Sequence, residues 1–288
     1  RESATIRLTL RPYRPARPND YITMTTSRRR FLMQSGQAAA AALASTWISR
    51  RAAANPLGKP VGIQLWTVNG PMQADAAGTL KKLRKIGYGV VESAGFGKLT
   101  AKQFRQLLDD AGLACPSAHV SFNPDDLGAA LDDANALGAK YATSGSLDAL
   151  VKAANPATAL AKKAMSLEEA KQTAELANRF GAAAKRAGLQ YVYHNHAREF
   201  ADQGGGAIGY DVLLRETNPE LVKFEVDCGW MIFAGHDPIS YFKKYPNRFP
   251  LIHVKDFLPA SDRSTGEMLG AELGHGVVDY KPIFAAAS

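Results

Sequence analysis

Short runs of β-branched and aromatic residues alternate along this chain with longer stretches whose apolar side chains return every three or four positions. A glycine closes most of the longer stretches. Residues 61–68 read as a first strand, and residues 74–86, apolar at Leu80, Leu83 and Ile86, as the helix after it, stopped by Gly87. Residues 88–92 predict a second strand, 101–111 a helix ended by Gly112, and 113–119 a third strand. A helix over 124–137 ends at Gly138 and precedes a weaker strand over 139–143. Residues 145–165 are Ala-rich and carry no clear turn chemistry. A long helix over 167–187 stops at Gly188 and leads into a strand over 191–196. Two further strands are expected over 221–227 and 249–256, and a last helix begins near 279.

Strand, helix, glycine, strand, repeated at the spacing of a βα unit, predicts a parallel sheet with helices outside it. Polar residues gather at the strand C-terminal ends: Glu92, His119, His194, His196, Asp227, His253 and Lys255. In a βα barrel these ends share one catalytic face, whereas in a doubly wound sheet they spread along a line. Seven such residues, on five strand ends, serving one site therefore predict a (β/α)8 TIM barrel. The strand count is one short, because the chain stops at Ser288 just after the last helix begins. The expectation is a sequence truncated before the eighth strand.

Side chains alternate along a strand, so His194 and His196 share a face with Val192 while Asn195 points the other way. The same alternation pairs Glu225 with Asp227, and His253 with Lys255. An imidazole, a carboxylate and an imidazole from adjacent strands, His194, Asp227 and His253, make a set for a divalent metal with room for substrate oxygens. Structural roles compete for each residue. Asp227 serves equally as a loop cap, His253 as a satisfied interior histidine, and Glu92 and Lys255 as members of buried ion pairs. His236 and His275 fall in expected loops and are read as solvated. Gly204-Gly205-Gly206 is a flexible loop, because no strand leads into it and the spacing of a nucleotide motif is missing.

The formal charge of +8 sits at one end of the chain. Residues 1–51 hold ten arginines, no lysine and two acids, and the remainder carries twenty-five basic and twenty-five acidic residues. A neutral body predicts no nucleic-acid groove, which disfavours a nuclease. Cys115 and Cys228 are too few for a disulfide framework and are expected as buried thiols. Residues 1–23 mix Arg and Pro without periodicity and predict an unstructured or untranslated leader, with Met24 as the natural start. From Met24 the run Ser27-Arg28-Arg29-Arg30-Phe31-Leu32, an Ala-rich stretch over 38–48 and Ala52-Ala53-Ala54 resemble a twin-arginine export signal over 24–54. That resemblance implies the twin-arginine translocase as a transient partner and a periplasmic or otherwise exported protein. The folded domain is expected over 55–288.

Several motifs together resemble the sugar phosphate isomerase/epimerase family of xylose isomerase-like barrels. They are Gln64-Leu-Trp-Thr-Val, Val91-Glu-Ser-Ala-Gly-Phe, Tyr193-His-Asn-His, Phe224-Glu-Val-Asp-Cys-Gly-Trp, His253-Val-Lys-Asp and Gly274-His-Gly-Val-Val-Asp. The likeness spans residue 60 to the end. It implies a TIM barrel holding a divalent metal, commonly manganese, with magnesium, cobalt or zinc as alternatives. One ligand comes from each of the last four strands, usually Glu, Asp, His and Glu. Asp227 and His253 match directly, and His194 stands where many relatives carry the first Glu. The last Glu belongs to the strand the sequence does not reach, and Gly274-His275-Gly276 stands where relatives often have Gly-Glu-Gly.

With that family the expected activity is metal-dependent proton transfer next to a carbonyl of a small carbohydrate, giving isomerisation, epimerisation or elimination. His196 is the expected general acid/base, Glu92 or His119 a second proton carrier, and Lys255 the stabiliser of negative oxygen. Gln64, Trp66, Trp230 and Asp256 are the expected substrate-binding residues, with Trp66 and Trp230 either stacking on a sugar ring or packing in the core. Export disfavours a phosphorylated cytosolic sugar and favours keto sugars, including oxidised glycosides. The alternative is a noncatalytic periplasmic carbohydrate binder on a degraded barrel, which would hold sugar without metal.

Overall fold

The computed structural model describes residues 58, 60–122, 127–145, 147, 164–261 and 267–287. Seven strands form one parallel sheet: β1 (Gly62–Gln64), β2 (Val90–Ala94), β3 (Ala114–His119), β4 (Tyr141–Ser144), β5 (Gln190–His194), β6 (Val222–Asp227) and β7 (Leu251–His253). Each lies beside its sequence neighbour, in the order β1 to β7, with helices on the connections. This is the wall of a TIM barrel, with all C-terminal tips at one end. A separate antiparallel pair joins β8 (Asp256–Phe257) to β9 (Gly270–Ala271).

The five expected helices form where the periodicity placed them, whereas those over Asn69–Ala74, Gly209–Glu216, Cys228–Phe233 and Pro238–Lys244 are additional to the expectation. Ala101–Ala111 buries Ala101, Phe104, Leu108 and Ala111, starts at a Thr100–Gln103 capping box, and ends at Gly112 with φ of 70°. Leu167–Arg186 starts at a second box, Ser166–Glu169, and buries a stripe of small residues with Phe180. Small residues let this helix lie close to the sheet. A side-chain carbon on Gly181 would sit 2.5 Å from the Leu221 carbonyl oxygen, so only glycine fits there. No helix among the described residues is long and apolar enough to cross a membrane.

Three strands end sooner than the apolar runs suggest. β1 stops at Gln64, where its pairing with β2 ends at Gln64↔Glu92, and Leu65–Val68 winds into a 3-10 turn. β5 stops at His194 rather than at residue 196, and a 3-10 turn over Arg198–Phe200 follows. β7 stops at His253, leaving Lys255 off the strand and Asp256 in β8. Hydrophobicity marks what is buried and says little about where the ladder stops. The leader, the arginine pair and most of residues 145–165 lie outside the described residues. Cys115 and Cys228 are buried free thiols.

Candidate metal and proton-transfer site

The parallel register brings the tips together. Gln64 lies beside Glu92, Glu92 beside Ser117, His194 beside Glu225, and Asp227 beside His253. On the first side, Glu92 accepts hydrogen bonds from Gln64 Nε2 at 2.7 Å and from Ser117 Oγ at 2.6 Å. His119 Nε2 stands 3.1 Å from Glu92 Oε1 and 3.3 Å from Glu225 Oε2, between two carboxylates. Burial alone would raise Glu92, and the His119 charge holds it below its ordinary value. Burial likewise opposes charge on His119, yet Glu92 and Glu225 push it up to about 10.

The second side holds the expected metal set. His194 Nε2 and His253 Nε2 lie 3.6 and 3.9 Å from Asp227 Oδ2, too far for hydrogen bonds. Lys255 Nζ lies 3.3 Å from the same oxygen and 4.8 Å above the Trp230 ring. Asp227 is fully buried and divides its work. Oδ1 accepts the Trp230 N–H at 2.9 Å and so caps the helix Cys228–Phe233, while Oδ2 is buried without a hydrogen-bond partner. Burial would raise this carboxyl, but Lys255 and His253 hold it far below the usual range. Burial also opposes charge on His194, and its contacts to Asp227 and Glu225 raise it to about 9.

A ligand atom from each of His194, Asp227 and His253 lies within 4.8 Å of the others, around that partnerless oxygen. Two imidazoles and a carboxylate so arranged fit a divalent cation. Asp227 serves as a cap through Oδ1, which leaves Oδ2 available to a cation.

His196 lies past the end of β5, with its ring 5.1 Å from His194 and 6.0 Å from Trp230. Its Nδ1 is buried without a partner, as is Trp230 Nε1. Burial first, then the charges of His194 and Lys255, hold His196 well below the usual histidine value, so it stays neutral. Gly145 lies against both rings, since a side-chain carbon there would be in van der Waals contact with His196 Cε1 at 3.4 Å and His119 Cε1 at 3.6 Å.

Two expected substrate residues stand apart. Trp66, in the 3-10 turn after β1, is 58 % exposed. The Asp256 carboxylate is already engaged: Phe257, Gly274, Gly276 and Val278 donate backbone N–H groups to it at 2.9 to 3.1 Å. With both oxygens so occupied it fastens the loop before the last helix and offers no free acceptor for a sugar. Burial would raise its value and the four N–H donors outweigh that, leaving it low. His275 is exposed, and the His236 ring packs 5.1 Å from Phe200.

Four residues escaped the sequence reading. Glu225, 5 % exposed, links His119 and His194. Asn195 joins the tips of β5 and β6, donating to the Asp227 carbonyl at 3.2 Å and accepting the Asp227 N–H at 3.0 Å. Glu199 accepts from Tyr193 Oη at 2.7 Å and from the His196 N–H at 3.0 Å, fixing the bend that aims His196. Tyr280 Oη accepts the Lys255 N–H at 2.8 Å and donates to the Lys255 carbonyl at 2.7 Å. Glu225 carried a signal, since it shares a strand face with Asp227; Asn195 and Glu199 act from the segment after β5 and Tyr280 from the start of the last helix, contacts that no periodicity records.

A family profile described as a xylose isomerase-like TIM barrel matches residues 80–288. Among relatives, the inosose dehydratase of Clostridium tetani is 31 % identical over 131 residues, 41 % of this chain and 42 % of that protein, so the likeness spans under half of its length. A solved sugar phosphate isomerase/epimerase from Parabacteroides distasonis superposes with a TM-score of 0.62 at 25 % identity, covering 80 % of this chain and 82 % of the other. A xylose isomerase-like TIM barrel protein from Mycobacterium smegmatis, solved with magnesium, shares the fold at a TM-score of 0.58 and 16 % identity, covering 81 % and 87 %.

Proposed function

The chain belongs to the xylose isomerase-like TIM barrel family, and on that premise we propose that it is a metal-dependent carbohydrate enzyme that moves a proton next to the carbonyl of a keto sugar. Elimination of water is the favoured outcome, because the relative from Clostridium tetani is an inosose dehydratase. Isomerisation and epimerisation share the first proton transfer. The observation that carries the reading is Asp227 Oδ2, buried without a hydrogen-bond partner, ion-paired with Lys255 and flanked by His194 and His253, beside a neutral His196 whose Nδ1 is unpaired.

His194, Asp227 and His253 would hold the cation, with manganese the expected ion. When bound, such an ion supplies Lewis acidity toward a carbonyl oxygen. His196 Nδ1 takes the proton from the carbon next to the carbonyl, a task for a base that is neutral at working pH. The electron pair of that C–H bond moves toward the carbonyl, and the Lys255 ammonium stabilises the negative oxygen. In elimination the pair returns to expel a β-hydroxyl, and His119, protonated between Glu92 and Glu225, delivers the proton that lets it leave as water. Trp230 Nε1 is an unused buried donor for a sugar oxygen, and Gln64 orients Glu92. Export through the twin-arginine translocase is part of this proposal, so the substrate would be met outside the cytoplasm.

The test is incubation of manganese-loaded protein with a panel of cyclic and acyclic keto sugars in deuterium oxide. Deuterium at the carbon beside the carbonyl, or loss of water, is expected for at least one member. No exchange with any member, by protein shown to contain manganese, overturns the proposal. Sugar affinity that persists unchanged in chelator, without exchange, would instead support a noncatalytic binder.

A further inference from the structure

Glu225 is buried and no step above uses it, yet it faces both imidazoles of the ligand set. Its Oε2 lies 3.0 Å from His194 Nδ1 and its Oε1 lies 3.7 Å from His253 Nδ1. The opposite nitrogen of each ring, Nε2, faces the single oxygen Asp227 Oδ2. The two rings stand 4.8 Å apart and nearly perpendicular, at 86°. One carboxylate thus stands behind both rings and another in front of them. A buried carboxylate needs donors, and an imidazole that gives its Nδ1 proton to one carries its lone pair on Nε2.

We infer that Glu225 is a positioning residue that fixes both His194 and His253 with Nδ1–H toward itself and Nε2 toward Asp227, so that a cation is taken through Nε2 of each ring. Two competing arrangements make Glu225 itself a ligand, one alongside His119 and His194 and one alongside Glu92 and His253. The cross-strand geometry favours positioning. Glu225 pairs with His194 in the ladder and stands two residues before Asp227, so its carboxylate is set one layer below that of Asp227. Histidine ligands almost always give their second nitrogen to such a carboxylate, and removing it typically costs about 10- to 100-fold in metal affinity. Here one carboxylate lies 3.0 Å from Nδ1 of one ring and faces Nδ1 of the other at 3.7 Å, and it also contacts His119 Nε2 at 3.3 Å. The inference rests on the metal reading above for its consequence, and for its substance on the 3.0 Å hydrogen-bond contact to His194 and on the facing of His253 Nδ1 toward the same carboxylate at 3.7 Å.

The deciding experiment is nitrogen-15 histidine NMR on the full chain, with and without zinc as a diamagnetic probe, alongside calorimetric zinc titration of wild type and Glu225→Gln. Expected are Nδ1 protons on His194 and His253, coordination through Nε2 on adding zinc, and zinc binding about 10- to 100-fold weaker in the variant with an altered Nδ1 signature. Coordination through Nδ1 of either ring, or a variant with unchanged affinity and spectrum, overturns it. If wild type takes no zinc, the metal reading fails, while the Nδ1 protons in the metal-free spectrum still decide the positioning. Should Glu225→Gln not fold, the wild-type spectra decide alone.

Discussion

Asp227→Asn isolates the two jobs of one side chain. Asparagine is as good a helix cap as aspartate, so Oδ1 keeps the Trp230 N–H and the fold should hold. A neutral amide is a poor ligand for a hard cation, so most bound manganese should be lost. Metal analysis of the purified variant checks this, with circular dichroism as control, and full occupancy would count against the site. His196→Asn reads differently. Deuterium exchange into substrate should slow by about 10²- to 10⁴-fold, the range for a lost acid/base group, while manganese affinity stays unchanged. A parallel fall in both would make His196 a support for the ligands rather than a proton carrier. At this scale the sequence disclosed residue types at strand tips, and with them His194, Asp227, His253, His119 and Glu92. It withheld the partnerships. That Glu225 faces two histidines depends on β6 lying between β5 and β7, which one strand's alternation cannot show.

Among the elements, the helix over Ala101–Ala111 matches the expected bounds because capping box, apolar stripe and glycine stop all agree. Strand ends were misread where aromatic and β-branched residues continue past the ladder, as at Leu65-Trp66 and at Asn195-His196. Those overshoots fall at the mouth of the site, where the chain leaves regular structure to aim side chains. Asn195 is the clearest case. Asn195→Ala removes both hydrogen bonds between the β5 and β6 tips and leaves buried backbone groups unpaired, at about 1–3 kcal/mol. A lower melting temperature together with weaker manganese binding is expected; an unchanged melt would show that β5–β6 pairing alone sets the tips. Asp256 governs a neighbouring element. Its folded value is depressed, so its stabilisation is present above the ordinary aspartate value of about 3.9 and is lost as pH falls through the lower folded value. Urea unfolding of wild type and Asp256→Asn should therefore differ at pH 7 and converge in acid. Equal stability at pH 7 would mean that the amide replaces all four contacts.

Over the whole molecule, charge is segregated, with the excess of arginine in residues 1–51 and balance afterwards. If the Arg28–Arg29 pair is read by a translocase, replacing both with lysine keeps the charge and loses the guanidinium geometry, so the protein should stay in the cytoplasm. Fractionation of expressing cells tests this, and undiminished periplasmic protein would refute it. The folded part has its own order. Because each strand pairs only with its neighbour in sequence, the site is written along the rim in reading direction: Gln64, Glu92, His119, His194, Asp227, His253, Lys255. A chain that leaves the ribosome N-terminus first therefore completes the residues proposed for proton transfer, Glu92, His119 and His196, before the proposed ligand set of His194, Asp227 and His253. On the proposed function a cation would be the last component to be held, and synthesis that stalls between β5 and β7 would leave His194 without its neighbours Asp227 and His253.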